Sequence, residues 1–362
     1  MLYENIKLEI RHRNPTWLDK MTNHFEELNI DEEFYFQWHI TEKCNLRCKH
    51  CYHEHYNSAN ELNLNELISV ADKINATLEK WNKKGTLSIT GGEPFVIKDK
   101  MFSLMRHIDS FQSLHHFDIL TNGWFINQDV LTELKGLKKL RRVQLSLEGS
   151  SHHINDQIRG EGSFDKTLSA IRLLKKNDFQ VSIMMTISNF NRNEIGPVIN
   201  LLEEEGADTF SAERFIPEGR GSSLEKEILT PEELKDVFSK IYSLAMEKTK
   251  PRILLYRPLF ALLNGNDPTV GAMCSAGTNA LTIMHDGTIY PCRRLPIPIG
   301  NALTDSFYKI WYTSDVLWNI RNTNNLKGKC SGCDLIPMCR GCRAMAYAVT
   351  GDYLAEDPQC WK

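Results

Sequence analysis

Residues 34–51 combine an aromatic run, Phe34-Tyr-Phe-Gln-Trp-His-Ile-Thr41, with a cysteine loop, Cys44-Asn-Leu-Arg-Cys-Lys-His-Cys51. Aromatic and β-branched residues favour a buried strand over 34–41. The three thiols that follow are spaced C-x3-C-x2-C. On one short loop they can hold three irons of a cubane cluster, whereas a closed electron-transfer cluster takes four thiolates. The fourth iron would then be open to a small molecule.

A closed zinc site is the competing interpretation of this loop. Such a site needs four ligands. A fourth cysteine is absent nearby, but His50, His53 or His55 can supply a nitrogen ligand. The loop by itself leaves both interpretations open.

The bulk composition indicates an ordinary globular chain. It has 362 residues, 41% hydrophobic and 25% charged, and a net charge of −3, which fits about two domains with a sizeable core. The sequence has no stripe of basic residues that would suggest nucleic-acid binding. It has no apolar run long enough to span a bilayer. The first residues, MLYENIKLEIRHRNP, do not resemble a signal peptide, so we expect a cytoplasmic protein without nucleic-acid or membrane partners.

The ten cysteines fall into two groups, with none between Cys51 and Cys274. A disulfide framework is typical of small secreted domains. Clustered thiols in a chain without an evident secretion signal favour metal or iron–sulfur ligation instead. The second group comprises Cys274, Cys292, Cys330, Cys333, Cys339, Cys342 and Cys360.

Strand and helix patterns alternate after the cysteine loop. Predicted helices cover 62–81, 100–108, 128–137, 164–176 and 194–205, and predicted strands cover 86–90, 116–120, 142–147, 181–187 and 209–215. With the first strand this makes about six β/α units, which implies a parallel sheet. Because a closed barrel of this type has eight strands, the sequence predicts an α/β fold with a partial (β/α)6 barrel and a C-terminal cysteine-rich iron–sulfur domain.

Three segments follow from these patterns. Residues 1–33 are expected to form a cap segment, with a short strand at 7–10 and a helix at 17–28. Residues 34–250 are expected to form the partial barrel, and 251–362 the cysteine-rich domain. A further helix is predicted to start at Thr230-Pro231, where a capping residue precedes proline and acidic residues.

The cysteine loop after a first strand, together with Gly91-Gly92-Glu93-Pro94 after the second, resembles the radical S-adenosylmethionine (SAM) superfamily over about residues 34–216. The resemblance implies that Cys44, Cys48 and Cys51 hold a [4Fe–4S] cluster whose fourth iron binds SAM. His50 stands where the family has an aromatic residue. Gly91, Gly92 and Glu93 would contact the SAM amino group; a plain strand-ending turn is the alternative.

Further SAM contacts are implied at the ends of later strands. Ser146 and Glu148 match the family's Ser-x-acid-Gly turn, and Arg159 can pair with a SAM carboxylate or with a nearby acid. The turn at 121–123 needs no ligand role. Arg214 points either to the same rim or into a core salt bridge, and the sequence leaves that choice open.

The second cysteine group resembles a SPASM domain, which carries auxiliary iron–sulfur clusters. The family's wiring implies a first auxiliary cluster on Cys274, Cys292 and Cys342, and a second on four cysteines. The spacing between Cys339 and Cys342 is one residue shorter than the usual pattern, which puts the ligation by Cys342 in doubt. Zinc knuckles are the alternative. The four cysteines of the second cluster would be Cys330, Cys333, Cys339 and Cys360.

The resemblance implies reductive cleavage of SAM to a 5′-deoxyadenosyl radical that abstracts hydrogen from a substrate, with one or two auxiliary clusters passing electrons or holding the substrate. A ribosomal peptide or protein is the favoured substrate, to be crosslinked, epimerised or oxidised. A separate recognition protein and an electron donor such as flavodoxin or ferredoxin are implied partners. The alternatives are a small-molecule enzyme of tetrapyrrole, heme or quinone-cofactor synthesis, and a non-catalytic metal scaffold.

Paired histidines also invite a metal-site hypothesis. His115-His116 and His152-His153 are predicted to lie on loops. No third ligand at a suitable spacing accompanies either pair, so surface or turn histidines are the favoured interpretation.

Overall fold

The structure is a computed structural model that describes residues 33–265, 267 and 269–362. The strand expected at 7–10, the helix expected at 17–28 and the cap segment, apart from Glu33, lie outside the described residues.

A ten-stranded sheet forms the centre of the described chain. Its strands are β1 Glu33–His39, β2 Lys84–Thr90, β3 Leu114–Thr121, β4 Leu140–Ser146, β5 Val181–Ile187, β6 Thr209–Arg214, β7 Arg252–Leu254, β8 Ala280–Ile283, β9 Thr288–Tyr290 and β10 Gly300–Asn301. The helices are α1 Leu64–Trp81, α2 Lys98–Ile108, α3 Gln128–Lys135, α4 His152–Arg159, α5 Ser163–Lys176, α6 Ile195–Glu204, α7 Pro231–Glu247, α8 Phe307–Thr313, α9 Asp315–Arg321 and α10 Arg343–Thr350.

The strand order is β10-β9-β8-β1-β2-β3-β4-β5-β6-β7. The strands from β1 to β7 run parallel in chain order, and β8 pairs parallel with β1. β9 and β10 extend that edge in antiparallel fashion. The sheet therefore stays open at both edges, and the predicted α/β partial barrel is confirmed.

Side-chain alternation along β1 separates the two faces of the sheet. Phe34, Phe36 and Trp38 are buried; Phe34 contacts Trp81 of α1 and Phe36 contacts Phe307 of α8. Because successive residues of a strand point to opposite faces, Tyr35, Gln37 and His39 face the concave side. This concave side is the inner wall of the partial barrel.

The same alternation continues in β4 to β6. Val143, Leu145, Ile183, Met185, Phe210 and Ala212 join the hydrophobic core beneath the helices. Gln144 and Ser146 of β4, Met184 and Thr186 of β5, and Ser211 and Glu213 of β6 therefore line the inner wall.

The helix predicted at Thr230-Pro231 is α7. The Thr230 hydroxyl accepts a hydrogen bond from the Glu233 amide, the Thr230 amide donates one to the Glu233 carboxylate, and Pro231 occupies the first turn. This capping box satisfies two backbone donors that the helix itself leaves without partners.

His115, His152 and His153 lie in regular elements, so their prediction as loop residues is wrong, whereas His116 lies in the strand that was predicted to start at residue 116. His115 and His116 belong to β3, which starts early because Leu114 pairs with Gly85 of β2. His152 and His153 open α4, where Ile154 and Ile158 repeat at helical spacing and Ile158 is buried.

The sheet continues past residue 250. β7 follows that point and pairs with β6, while β8 returns to pair with β1. The segments after the six expected units therefore extend the barrel at both of its edges. In the described part of the chain, no helix combines the length and apolar character needed to cross a bilayer.

Candidate metal centre and active site

The cysteine loop begins where β1 ends, and it lies against the Gly-Gly-Glu-Pro turn that follows β2. The Gly92 amide donates to the Thr41 carbonyl at 2.8 Å, and the Glu93 amide donates to the Lys43 carbonyl at 2.8 Å. A Cβ atom on Gly91 would lie 2.4 Å from the Thr41 oxygen, and one on Gly92 would lie 2.4 Å from the Lys43 oxygen. The two glycines thus permit close backbone contact between the two loops.

Glu93 is fully buried, and its carboxylate accepts three hydrogen bonds. The donors are the Phe95 amide (3.1 Å), the Thr121 hydroxyl (2.7 Å) and the Asn122 amide (2.7 Å). Burial raises the pKa of Glu93 to about 7 against the opposing effect of these donors. Since a carboxylate has about four acceptor positions, one remains for a ligand.

The turn at 121–123 contacts the cysteine loop directly. The Asn122 side-chain amide donates to Asn45 Oδ1 at 2.9 Å and lies 4.0 Å from the Cys44 sulfur. The prediction that this turn needs no ligand role left this contact unexpected. Its position in the sequence could have indicated this role. The turn ends the strand after β2, and the buried Glu93 carboxylate that follows β2 needs hydrogen-bond donors from a neighbouring strand end.

His50, Glu148 and Arg159 come together beside Cys48. Glu148 is buried and contacts His50 Nε2 at 3.4 Å and Arg159 Nη1 at 3.0 Å, while its second oxygen accepts from the Thr186 amide at 2.7 Å. Despite burial, His50 and then Arg159 lower the pKa of Glu148. The Cys48 thiol faces the Arg159 carbonyl at 3.7 Å, so three predicted SAM contacts lie at the cysteine loop.

Ser146 and Arg214 have different surroundings. Ser146 ends the inner face of β4, opposite Met184 of β5, and is half-buried. Arg214 points away from the inner wall and pairs with Asp357. The choice that the sequence left open for Arg214 is therefore a core salt bridge.

All ten cysteines lie in the described part of the chain, and all are free. Backbone amides two residues ahead donate to several of their sulfurs: Leu46 to Cys44, His53 to Cys51 and Gly341 to Cys339, each at 3.4 Å. The Met345 amide donates to the Cys342 sulfur at 3.4 Å. Donors of this kind stabilise thiolate sulfur and tune iron–sulfur sites.

The second cysteine group separates into two neighbourhoods. Burial, partly offset by Arg294, raises the pKa of Cys292 to about 11, and the nearby thiols of Cys274 and Cys342 add to the rise. Burial also raises the pKa of Cys360, with Cys330 among the charges that add to it, and Cys339 has Cys360 as a neighbour. Cys333 instead directs its thiol to Asp334 at 3.7 Å.

Two family models match the chain. The radical SAM superfamily model matches residues 38–202, and SPASM, an iron–sulfur cluster-binding domain, matches residues 274–343. The chain belongs to the radical SAM superfamily. Its C-terminal part is a cysteine-rich SPASM domain, as the sequence predicted.

Relatives of this radical SAM protein have different products. An AdoMet-dependent heme synthase of Methanosarcina barkeri is 30% identical over 341 residues, which cover 89% of this chain and 95% of that protein. The mycofactocin maturase MftC of Mycobacterium tuberculosis is 28% identical over 349 residues, covering 92% and 84%.

The fold is similar to that of Streptococcus suis SuiB. Its complex with the precursor peptide SuiA matches with a TM-score of 0.74 at 17% identity, covering 95% of this chain and 80% of SuiB. A second structure of SuiB contains S-adenosylmethionine. Membership of the family and the free thiols, several of which accept hydrogen bonds from backbone amides, indicate the same cofactors. These are a SAM-binding [4Fe–4S] cluster, one or two auxiliary clusters and SAM.

Proposed function

We propose that this radical SAM enzyme abstracts a hydrogen atom from a ribosomal peptide or protein and so crosslinks, epimerises or oxidises it. When bound, the iron–sulfur cluster and SAM supply the reductive cleavage that produces a 5′-deoxyadenosyl radical. The chain itself binds both partners, orients them and excludes water from the reacting atoms.

Two polar side chains on the inner wall of the barrel support the proposal of a peptide substrate. Gln37 of β1 and Gln144 of β4 are half-buried on this wall, and neither amide has a hydrogen-bond partner among the described residues. A glutamine amide both donates and accepts, as a peptide group does. Such side chains can pair with successive peptide groups of an extended chain.

The chain's residues divide the binding tasks in this proposal. Cys44, Cys48 and Cys51 hold the SAM cluster. His50, Glu148 and Arg159 form one wall of the SAM pocket, with Ser146 nearby on the inner face of β4. Gly91, Gly92 and Glu93 form the opposite wall, where Glu93 retains one acceptor position for the SAM amino group.

The SPASM cysteines are assigned by their neighbourhoods. Cys274, Cys292 and Cys342 would hold one auxiliary cluster with a position left for a further ligand. Cys330, Cys333, Cys339 and Cys360 would close the other, provided that Cys333 turns from Asp334 toward its three partners. Residues 34–250 and 251–362 are proposed as the catalytic and auxiliary domains.

Partners and location remain part of the proposal. A separate recognition protein would present the peptide, and an electron donor such as flavodoxin or ferredoxin would reduce the SAM cluster. Ten free thiols suit a reducing compartment, which supports a cytoplasmic location.

A tetrapyrrole substrate is the second candidate. The observation in its favour is the 30% identity with a heme synthase over nearly that protein's full length. On this alternative, the unpartnered glutamines would face a macrocycle's substituents instead of a peptide backbone.

Anaerobic reconstitution of the iron–sulfur clusters tests first whether the protein cleaves SAM. We expect about 12 irons per chain, four for each cubane, and release of 5′-deoxyadenosine when SAM and a reductant are added. Stoichiometric zinc without SAM cleavage would support a non-catalytic scaffold and contradict the proposal.

Co-expression then distinguishes the two substrate classes. Mass spectrometry of candidate precursor peptides, produced with the enzyme in the same cells, should show a mass change that the Gln37→Leu plus Gln144→Leu variant lacks. Conversion of an added iron tetrapyrrole without any peptide change would establish the second candidate instead.

A further inference from the structure

A charged cluster on the inner wall contains two arginines and one carboxylate. Glu213, at the end of the inner face of β6, pairs with Arg257 through one oxygen and with Arg294 through the other, at 2.8 Å for Arg294. The side chains of Arg257 and Arg294 are 27% and 25% exposed, and that of Glu213 is 14% exposed. The cluster is thus set into the wall and still accessible.

The cluster carries an excess positive charge. Burial opposes ionisation of Glu213, but Arg257 and Arg294 lower its pKa, so one carboxylate faces two guanidinium groups. Each guanidinium has five N–H donors. Arg257 Nε is buried without a hydrogen-bond partner among the described residues, and the two arginines together use few of their donors.

A neighbouring salt bridge shows what a purely structural pair looks like in this protein. Arg214 and Asp357 are matched one to one, with Nη2–Oδ2 at 2.6 Å, and their side chains are 9% and 0% exposed. The cluster around Glu213 differs in having one more cation than anion, greater exposure and unused donors. These differences leave the two arginines able to bind a further anion.

The cluster also lies between the two reactive regions. Glu213 pairs in register with Thr186 of β5, whose amide donates to Glu148 of the proposed SAM pocket. On its other side, the thiols of Cys292 and Cys342 are neighbours of Arg294. A ligand held here would lie between SAM and the auxiliary cysteines.

We propose that Arg257 and Arg294 bind a carboxylate of the peptide substrate, either its C-terminus or an acidic side chain. The inference rests on the proposed peptide substrate and adds the group by which the peptide is recognised. A planar guanidinium binds a carboxylate through two parallel hydrogen bonds. Glu213 spaces the two arginines and neutralises only one of them.

Charge balance of the auxiliary cluster is the competing explanation for Arg294, because that residue is close to the cluster's cysteines. It does not account for Arg257. Arg257 contacts Glu213 and the hydroxyl and ring of Tyr256, and among the described residues no cysteine contacts its side chain. Arg257 is therefore the residue to test first.

The probe is an array of short random peptides, made once with free C-terminal carboxylates, once as C-terminal amides, and once as amides with Asn and Gln replacing Asp and Glu. Labelled, iron-loaded enzyme with SAM is applied anaerobically. We expect the wild type to prefer a carboxylate-bearing set at least about tenfold. Preference for the first set identifies the C-terminus, and preference for the second set over the third identifies acidic side chains.

Three variants test the site. Arg257→Gln should abolish the preference, and Glu213→Gln should strengthen it because it removes the competing carboxylate. Arg172→Gln, which removes the solvent-exposed arginine of α5 that pairs with Glu205, should leave the preference unchanged. Iron content confirms that each variant is folded; opposite effects at positions 257 and 213 cannot come from simple loss of structure.

Two results would overturn the inference. One is a wild type that binds peptides irrespective of carboxylates, and the other is an Arg257→Gln enzyme that keeps the preference; both leave the peptide proposal intact. A wild type that binds no peptide in any set would instead remove the peptide proposal, and this inference with it.

Discussion

Arg214 and Asp357 form a buried two-point salt bridge that joins strand β6 to the C-terminal segment. Nη1 and Nη2 of Arg214 lie 2.9 and 2.6 Å from the two oxygens of Asp357. Asp357 also accepts from the Cys342 amide at 2.7 Å. One carboxylate thus contacts both a barrel strand and the start of α10. The N-cap residue of α10 is Cys342, a proposed cluster ligand.

Asp357→Asn should therefore destabilise the whole protein. The change leaves the buried guanidinium of Arg214 without a carboxylate partner, with its hydrogen bond to Gln359 retained, and loss of one partner of a buried ion pair typically costs about 3–5 kcal/mol. Anaerobic urea unfolding, followed by near-UV circular dichroism, measures the free energy of unfolding. Arg172→Gln, at a solvent-exposed arginine that pairs with Glu205, is the control and should change the free energy of unfolding little; equal losses in both variants would contradict a structural role for the buried bridge.

Replacement of single cysteines should distinguish the role of the SAM cluster from that of the auxiliary clusters. Cys48→Ala should remove about four irons and all release of 5′-deoxyadenosine, because the SAM cluster loses one of three thiolates. Cys360→Ser should also lose iron yet keep SAM cleavage, since it lies in the other cysteine group. SAM cleavage by the Cys48→Ala enzyme at the wild-type rate would exclude the assigned role of the loop.

Gly92→Ala should disturb the SAM cluster without touching any cysteine. The added Cβ would lie 2.4 Å from the Lys43 carbonyl and 2.5 Å from that of Glu42, so the cysteine loop has to move. We expect a loss of SAM-cluster iron, measured by iron analysis and electron paramagnetic resonance. Gly196→Ala in α6, where the nearest atom is 3.5 Å away on the flexible Lys240 side chain, is the matched control and should keep its iron.

Stability should depend on pH through Glu93. Burial raises its pKa in the folded protein from 4.5 to about 7, so the folded state binds this proton more tightly than the unfolded state does. The free energy of unfolding should fall as pH rises from about 4.5 through about 7 and then level off with respect to this group.

Glu93→Gln tests that dependence. Its side chain cannot ionise, so the difference between wild-type and variant stability should change between pH 4.5 and pH 8, with the wild type losing relatively more at the higher pH. A constant difference across this range would show that Glu93 keeps its ordinary pKa.

Much of the barrel is predictable from local sequence. The strand over 181–187 and the start of α7 at Thr230-Pro231 were predicted to the residue, because strand alternation and helix capping are signals carried by neighbouring residues. The early start of β3 was missed because it depends on Leu114 pairing with Gly85 of a different strand. Helix α4 was missed because eight mostly polar residues give a weak periodic signal.

The sequence by itself determined the cysteine loop, the Gly-Gly-Glu-Pro turn, the β/α alternation and hence the radical SAM family. Spacing along the chain encodes these features. Only the tertiary structure decided that Arg214 pairs with Asp357, that Glu93 holds the turn after β3, and that Arg257 and Arg294 meet at Glu213. Those partners lie far apart in the chain, and they meet because the parallel strands end at a common edge around a curved sheet, which no local pattern records.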